Sequence, residues 1–391
     1  MSRPARRAST RPRARALVGP LLRWFQRNAR ALPWRGTRDP YAIWISEVML
    51  QQTQVVTVIP YWRRWMRRLP DVKALARART DVLLKLWEGL GYYSRARNLQ
   101  KAARMIVDQH RGRFPNRFDD VLALPGIGPY TAGAICSIAF DQPTPALDGN
   151  AIRVLTRLFG IETDPRAKET NDRLRSLAQH LLLAAAQREQ PNARSCSRLN
   201  QSLMELGAVL CTVRQPKCPR CPVRNQCVAF GGQRVDQIPN FGKRTPSTPR
   251  RFVAFVLERS GRFLVRRRPD AVVNGRLWEF PNIEADGRHT DERQLAERVL
   301  GARPAAVWPM RQVRHTITRY RITLDVFRAE FAGNLPESIQ RQRWRSPAAL
   351  EKLAFPSAHR KILEALQIRF GVDSSATPTK PPPLCRAVRR G

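Results

Sequence analysis

The pattern of apolar residues changes period once along this chain, at a stretch that cannot itself build a core. Residues 231–250, GGQRVDQIPNFGKRTPSTPR, are rich in Gly, Pro and polar side chains, the composition of a domain linker. From Leu21 to about Cys227 apolar residues recur at helical spacing, in runs such as WRRWMRRLPDVKALA and FDDVLALPGIG set apart by Pro and Gly. Beyond the break, residues 252–268, FVAFVLERSGRFLVRRR, read as two strands about a Ser260-Gly261 turn. Residues 318–331 alternate as a half-buried strand does, and a helix around HRKILEAL closes the pattern. The expected architecture is multidomain, α plus α+β. It has an all-α domain over 21–231, a linker over 232–250 and a mixed domain over 251–368, because 391 residues exceed what one core usually serves.

The two ends read differently. Residues 1–20 are Arg-rich and acid-free and are expected to form a disordered basic tail that contacts DNA; residues 369–391 form a second disordered tail. The N-terminal stretch lacks the apolar segment of a secretory signal, although its composition leaves organelle targeting open. No run approaches the roughly 18 consecutive apolar residues of a membrane span. A monomer in the bacterial cytoplasm, associated with the nucleoid, is the expectation, with no membrane partner. Seventy Lys and Arg against 31 Asp and Glu leave a formal charge of +39, a field that attracts polyanions, nucleic acid first among them. An Arg-rich solvated surface produces the same excess, so charge alone does not decide.

Four of the seven cysteines, Cys211, Cys218, Cys221 and Cys227, fall within CTVRQPKCPRCPVRNQC, with six, two and five residues between them. Four thiolates suit either structural zinc or an iron-sulfur cluster. Zinc sites usually pair two short Cys-x-x-Cys arms, and here there is one, so the uneven spacing favours a cluster. The interleaved Arg214, Lys217, Arg220 and Arg224 would then present cations to a phosphate backbone. The preceding LNQSLMELGAVLC carries Leu199, Leu203, Leu206 and Leu210 on one helical face, a core stripe.

In LPGIGPYTAGAI (124–135) Gly126 and Gly128 join one helix to the next. The turn lets backbone approach a ligand and points free N–H groups outward, which is a grip for phosphate. In YAIWISEVMLQQTQ (41–54), Glu47 has Ile43, Trp44 and Leu50 as helical neighbours. A carboxyl on such a face loses solvation and stays protonated near neutrality, as a general acid must; a Glu paired with a distant Arg is the other reading. Asp148, in PALDGNAIRVL, leads into a helix whose positive end favours an ionised carboxylate, while Asp148 or Asn150 as a plain helix cap accounts for the same residues. Two acids pushed in opposite directions are the arrangement expected for glycosyl cleavage.

With SEVMLQQTQ, LGYYSRARNL, LPGIGPYTAGAI, LDGN and the cysteine spacing in order, the chain resembles MutY-type adenine-DNA glycosylases over about residues 21–368. The resemblance implies an all-α helix-hairpin-helix glycosylase domain with an iron-sulfur cluster loop at 211–227, followed by a Nudix-like α/β domain that reads 8-oxoguanine. It implies one 4Fe-4S cluster on the four cysteines, and as partner double-stranded DNA holding adenine opposite 8-oxoguanine or guanine. By resemblance, Glu47 protonates N7 of adenine and Asp148 stabilises the oxocarbenium-like sugar, with Tyr130 and Asn150 in support. Gln52 and Tyr92 wedge into the stack as the base flips, Thr53 and Leu90 join the DNA-contacting set, and Trp34, Arg35 and Gln201 line the pocket. A related endonuclease III-like glycosylase/lyase for oxidised pyrimidines would carry a Schiff-base lysine where this chain has Tyr130, which favours a monofunctional enzyme. Ile152, where some relatives carry a lysine, points the same way. The residues after Phe280 lack the Glu-rich Nudix box, and the family's Phe-Ser-His stretch is here Ile317, Thr318 and Arg319. Thr318 and His315 are therefore the candidates for contacting the oxidised base. A non-catalytic DNA-binding redox sensor would need the cysteine loop and hairpin but neither Glu47 nor Asp148.

Overall fold

The computed structural model describes residues 10–188, 194–242, 246–270, 272–285, 291–317 and 319–370. The chain divides into two compact units between Pro246 and Ser247.

Among its described residues the first unit has helices joined by loops and no strand. It runs α1 (Thr10–Asn28), α2 (Pro40–Leu50), α3 (Val55–Arg68), α4 (Val72–Arg77), α5 (Thr80–Trp87) and α6 (Ser94–Gln109). It continues with α7 (Phe118–Leu122), α8 (Pro129–Phe140), α9 (Gly149–Phe159), α10 (Lys168–Ala186), α11 (Ser195–Val209) and α12 (Val228–Gly231). One core joins α9, α10 and α11, with the Leu199, Leu203, Leu206 and Leu210 stripe of α11 at its centre. The hairpin between α7 and α8 turns at Gly126, whose φ of +80° and 2.6 Å approach of a would-be Cβ to Asn98 exclude a larger residue.

The sequence expectation for the N-terminus needs correcting. The stretch expected to be a disordered tail through residue 20 is helical from Thr10 onward. Ala14, Leu17, Val18 and Leu21 recur at i, i+3, i+4 and i+7 and are buried in the same core as Leu174, Leu177 and Leu181. Arg15 within this run and Arg23 just beyond it, both exposed, mask the stripe. The linker is also shorter than expected: Ile238 is buried and its carbonyl accepts from Arg157 Nε at 2.8 Å, and the first strand already begins at Thr248.

The second unit is α+β. Its main sheet has the order β6-β1-β8-β7, built from β1 (Thr248–Val256), β6 (Asn282–Ala285), β7 (Ala306–Ile317) and β8 (Tyr320–Glu330). β1 runs parallel to β8; its pairing with β6, and that of β7 with β8, is antiparallel. Smaller sheets join β2 (Glu258–Arg259), β3 (Arg262–Leu264) and β9 (Trp344–Arg345), and β4 (Arg266–Arg267) with β5 (Trp278–Glu279). The Ser260-Gly261 turn between β2 and β3 has φ of 48° and 68°, the left-handed pair of a type I′ hairpin. Alternation along β1 sends Val253 and Phe255 into a core with Leu295, Ala296 and Leu300 of α13 (Glu292–Leu300). Ala254 and Val256 enter another with Ile362, Leu363 and Leu366 of α16 (Ser357–Phe370). The apolar run FVAFV is thus a central strand covered on both faces; α14 (Glu337–Gln340) and α15 (Pro347–Glu351) complete the unit. Among the described residues no helix is long and apolar enough to cross a membrane.

If α1 belongs to the core, Leu17→Ala lowers stability by about 2–5 kcal/mol, read as a fall in denaturant midpoint at unchanged slope. An unstructured tail predicts no change.

Candidate active site

Glu47 owes its setting to α2. Asp39 caps the helix, accepting from the amides of Tyr41 at 3.0 Å and Ala42 at 3.4 Å, and Pro40 fills the first turn. Every residue from Tyr41 to Met49 is buried, so the helix runs through the interior and carries the carboxyl with it. Glu47 is 6% exposed. Burial raises its pKa from 4.5 to about 7; a hydrogen bond from Tyr130 and the charge of Arg35 oppose the rise, and Asp148 adds to it. Tyr130, on the first turn of α8, donates its hydroxyl to Glu47 Oε2 at 2.5 Å. Burial and both acids hold that phenol far above its ordinary range, so it remains a donor.

Asp148 caps α9, accepting from Ala151 N at 2.6 Å and from Asn150 Nδ2 at 2.8 Å. The expectation that its environment favours the charged form is corrected: burial raises its pKa, against the bonds from Ala151 and Asn150 and the charge of Arg153. The two acids are therefore shifted in the same direction. Several groups counter burial at Asp148, whereas Glu47 has one hydrogen bond and one nearby cation against it.

Asn150 in turn accepts from Arg153 Nη2 at 2.8 Å, and Arg153 also donates to the carbonyls of Gly207 and Cys211, each at 2.7 Å. Gly207 is required there, because a Cβ would lie 2.6 Å from that of Asn150. A second network is one that motif reading missed. Glu205 of α11, 1% exposed, accepts from Arg30 Nε at 2.7 Å and Nη2 at 2.8 Å and from Arg35 Nη2 at 2.7 Å. Burial would raise Glu205, but the two arginines prevail and hold it at about 2. The signal available was a carboxylate on a core helix, the same one that marked Glu47.

The other expected site residues are placed unevenly. Trp34 is buried, edge-on to Trp62 at 6.0 Å, and Gln201 is half-buried and donates to Ser197 Oγ at 3.2 Å. Among the described residues no hydrogen bond joins either one to Glu47 or Asp148. Gln52 and Tyr92 are exposed, each at positive φ, 59° and 45°, and Thr53 is half-buried beside Gln52. Leu90 is buried, at 5% exposure, between Gly89 and Gly91, which both have positive φ. Gly126 and Gly128 are exposed, and the N-terminus of α8 has no side-chain cap, leaving its first amides free for an anion. In the second unit His315 is half-buried, its Nδ1 is buried without a partner, and burial and Lys361 lower its pKa. Thr318 lies outside the described residues.

Cys211, Cys218, Cys221 and Cys227 line a single cavity beneath Val154, Leu158 and Leu206. Burial raises the Cys221 thiol to about 11, and Cys211, Cys227 and Cys218 add to the rise, as thiols sharing one space must. Among the described residues no three His, Cys, Asp or Glu side chains are set to hold a single metal ion. Arg157 donates to Cys211 Sγ at 3.4 Å and to Thr212 O at 2.7 Å. Arg214, Lys217, Arg220 and Arg224 are exposed.

A glycine hairpin thus leads into a helix N-terminus without a side-chain cap, and that helix's Tyr130 bonds a desolvated acid whose charge is coupled to a second carboxylate. Residues 45–180 match the HhH-GPD superfamily base excision DNA repair protein family, and residues 252–365 match the NUDIX domain. The chain is 34% identical to the adenine DNA glycosylases of Rattus norvegicus, over 89% of this chain and 77% of that protein, and of Homo sapiens, over 90% and 74%. Among solved structures, a thermostable thymine-DNA glycosylase superposes with a TM-score of 0.51 at 27% identity, covering 57% of this chain and all of its own. The chain belongs to the adenine DNA glycosylase family.

Between about pH 4.5 and 7 the folded protein keeps a proton on Glu47 that the unfolded chain has lost, so stability falls as pH rises through that window. Glu47→Gln is uncharged at every pH. Above pH 7 it should exceed the wild type by about 3 kcal/mol in denaturant unfolding, with the gap closing towards pH 4.5.

Proposed function

We propose that this chain excises adenine opposite 8-oxoguanine or guanine in duplex DNA as a monofunctional glycosylase. The observation that carries the reading is the buried Glu47 carboxyl bonded to Tyr130 within electrostatic reach of Asp148. At a pKa of about 7 a large share of Glu47 is protonated at neutral pH, so it can give its proton to N7 and turn adenine into a neutral leaving group. Tyr130 holds the carboxyl in place and accommodates the charge it acquires. Asp148, kept oriented by Ala151 and Asn150, faces the positive charge that develops on the sugar. A tyrosine engaged with the acid at position 130 offers no amine for a Schiff base, which separates this reading from a lyase.

The target nucleotide leaves the stack as Gln52 and Tyr92 enter it, and the hairpin amides of Gly126, Gly128 and the α8 N-terminus hold the backbone. The second unit reads the oxidised guanine. The cavity ringed by four thiols fits one 4Fe-4S cluster held by Cys211, Cys218, Cys221 and Cys227. Held by those four cysteines, such a cluster would supply a rigid centre for the loop, from which the exposed Arg214, Lys217, Arg220 and Arg224 can meet phosphate.

A labelled duplex with adenine opposite 8-oxoguanine, incubated with the protein, should be cut only after alkali; cutting without alkali would mean a lyase. Glu47→Gln and Asp148→Asn should each lower single-turnover release by about 10²-fold or more while duplex binding stays near wild type. The purified protein should carry iron and acid-labile sulfide, and stoichiometric zinc would contradict the cluster.

A further inference from the structure

Arg95, near the start of α6, is a buried cation without an anion. Its side chain makes five hydrogen bonds, all to backbone carbonyls: Nη1 to Val48 at 2.6 Å, Met49 at 3.2 Å and Gln51 at 2.7 Å, and Nη2 to Leu90 at 2.9 Å and Gly91 at 3.2 Å. Nε is buried with no partner, and no carboxylate among the described residues bonds to the guanidinium. Burial lowers its pKa to about 10. Withdrawing a charge from water without a counter-ion costs several kcal/mol, so the carbonyl contacts must return most of that.

Their arrangement shows what the cation joins. Val48, Met49 and Gln51 end α2, the helix that bears Glu47, where unpaired carbonyls and the helix dipole favour a positive charge. Leu90 and Gly91 belong to the separate turn that presents Tyr92, and the guanidinium also lies 5.8 Å from the Tyr92 ring centroid and 5.1 Å from that of Trp87. Each of the two turns exposes one side chain on a left-handed backbone, Gln52 at φ 59° and Tyr92 at φ 45°. Such conformations are strained for residues other than glycine and persist where the surroundings impose them. One planar fork holds both turns from beneath, a geometry that a lysine cannot reproduce.

We propose that Arg95 is a positioning residue that locks the Gln52 turn and the Tyr92 turn into one rigid wedge, so that both enter the duplex together as the target nucleotide is extruded. This rests on the reading of Gln52 and Tyr92 as the residues that enter the stack. Chemistry at Glu47 does not require Arg95; opening the duplex does.

The test compares Arg95→Lys with wild type on two duplexes, one pairing adenine with 8-oxoguanine and one placing adenine opposite an abasic site, where extrusion is cheap. The variant should lose about 10-fold or more in single-turnover release on the paired duplex and less than about 3-fold on the other. Hydrogen exchange should speed up together in peptides spanning residues 50–54 and 89–93. Equal losses on the two duplexes, or faster exchange in only one turn, would overturn the proposal. Should Arg95→Lys fail to fold, Gln52→Ala and Tyr92→Ala in the native background test the same lock. A joint loss at least about 5-fold smaller than the product of the single losses supports it, and additivity overturns it. If neither single variant slows release on the paired duplex, Gln52 and Tyr92 do not enter the stack, and the proposal falls with that reading.

Discussion

The carboxyl of Glu47 is desolvated, and Tyr130 is its hydrogen-bond donor. A carboxyl in water is ionised at neutral pH and has no proton to give; burial of α2 from Tyr41 to Met49 raises the pKa of this one to about 7, so that a large share of it is protonated there. The same burial makes the site costly to fold, and the surrounding framework has to hold it. Ile43 of α2 packs with Ala134 and Ile138 of α8 and with Ala146, and Tyr130 lies against that cluster; the core of α1, α9, α10 and α11 anchors α9, whose first residues follow Asp148.

Arginine serves two purposes in this molecule. A formal charge of +39 suits a partner made of phosphates, and the cysteine loop displays four cations on its exposed face. Several guanidiniums, however, are turned inward as cross-links. Arg30 and Arg35 clamp Glu205, Arg153 runs from Asn150 to the carbonyl of Cys211, and Arg157 ties Cys211 and Thr212 to Ile238. Each cross-link joins segments distant in sequence and ends near an acid, a cysteine or a strained turn. The planar fork satisfies several carbonyls at once, which is how irregular backbone around a site is held without secondary structure.

Glu47 and the cysteine quartet were legible because each carries a local signal: apolar neighbours one turn away in the first case, spacing in the second. The strands of the second unit were legible from alternation, and the Ser260-Gly261 turn from its residue types. The first turns of α1 were not, since arginines stand within and beside the stripe of Ala14, Leu17, Val18 and Leu21, and composition outweighs period in such a run. Glu205 pairs with Arg30 across 175 positions, a relation no local pattern encodes. Arg95 was unmarked for a similar reason: in a chain with 70 basic residues, one more carries no information until its burial is known. Asp148 shows a different limit. Its cap was readable, but the balance between burial and the bonds that oppose it depends on how deeply α9 begins inside the protein.

The most direct measurement of the central claim is the protonation of Glu47 itself. Difference infrared spectroscopy across about pH 3 to 9, with Glu47→Gln as the reference, isolates its neutral carboxyl stretch. The account predicts a band that disappears with a midpoint near 7. A midpoint close to the ordinary 4.5 would mean that the carboxyl is ionised when it is needed as an acid, and would contradict the account.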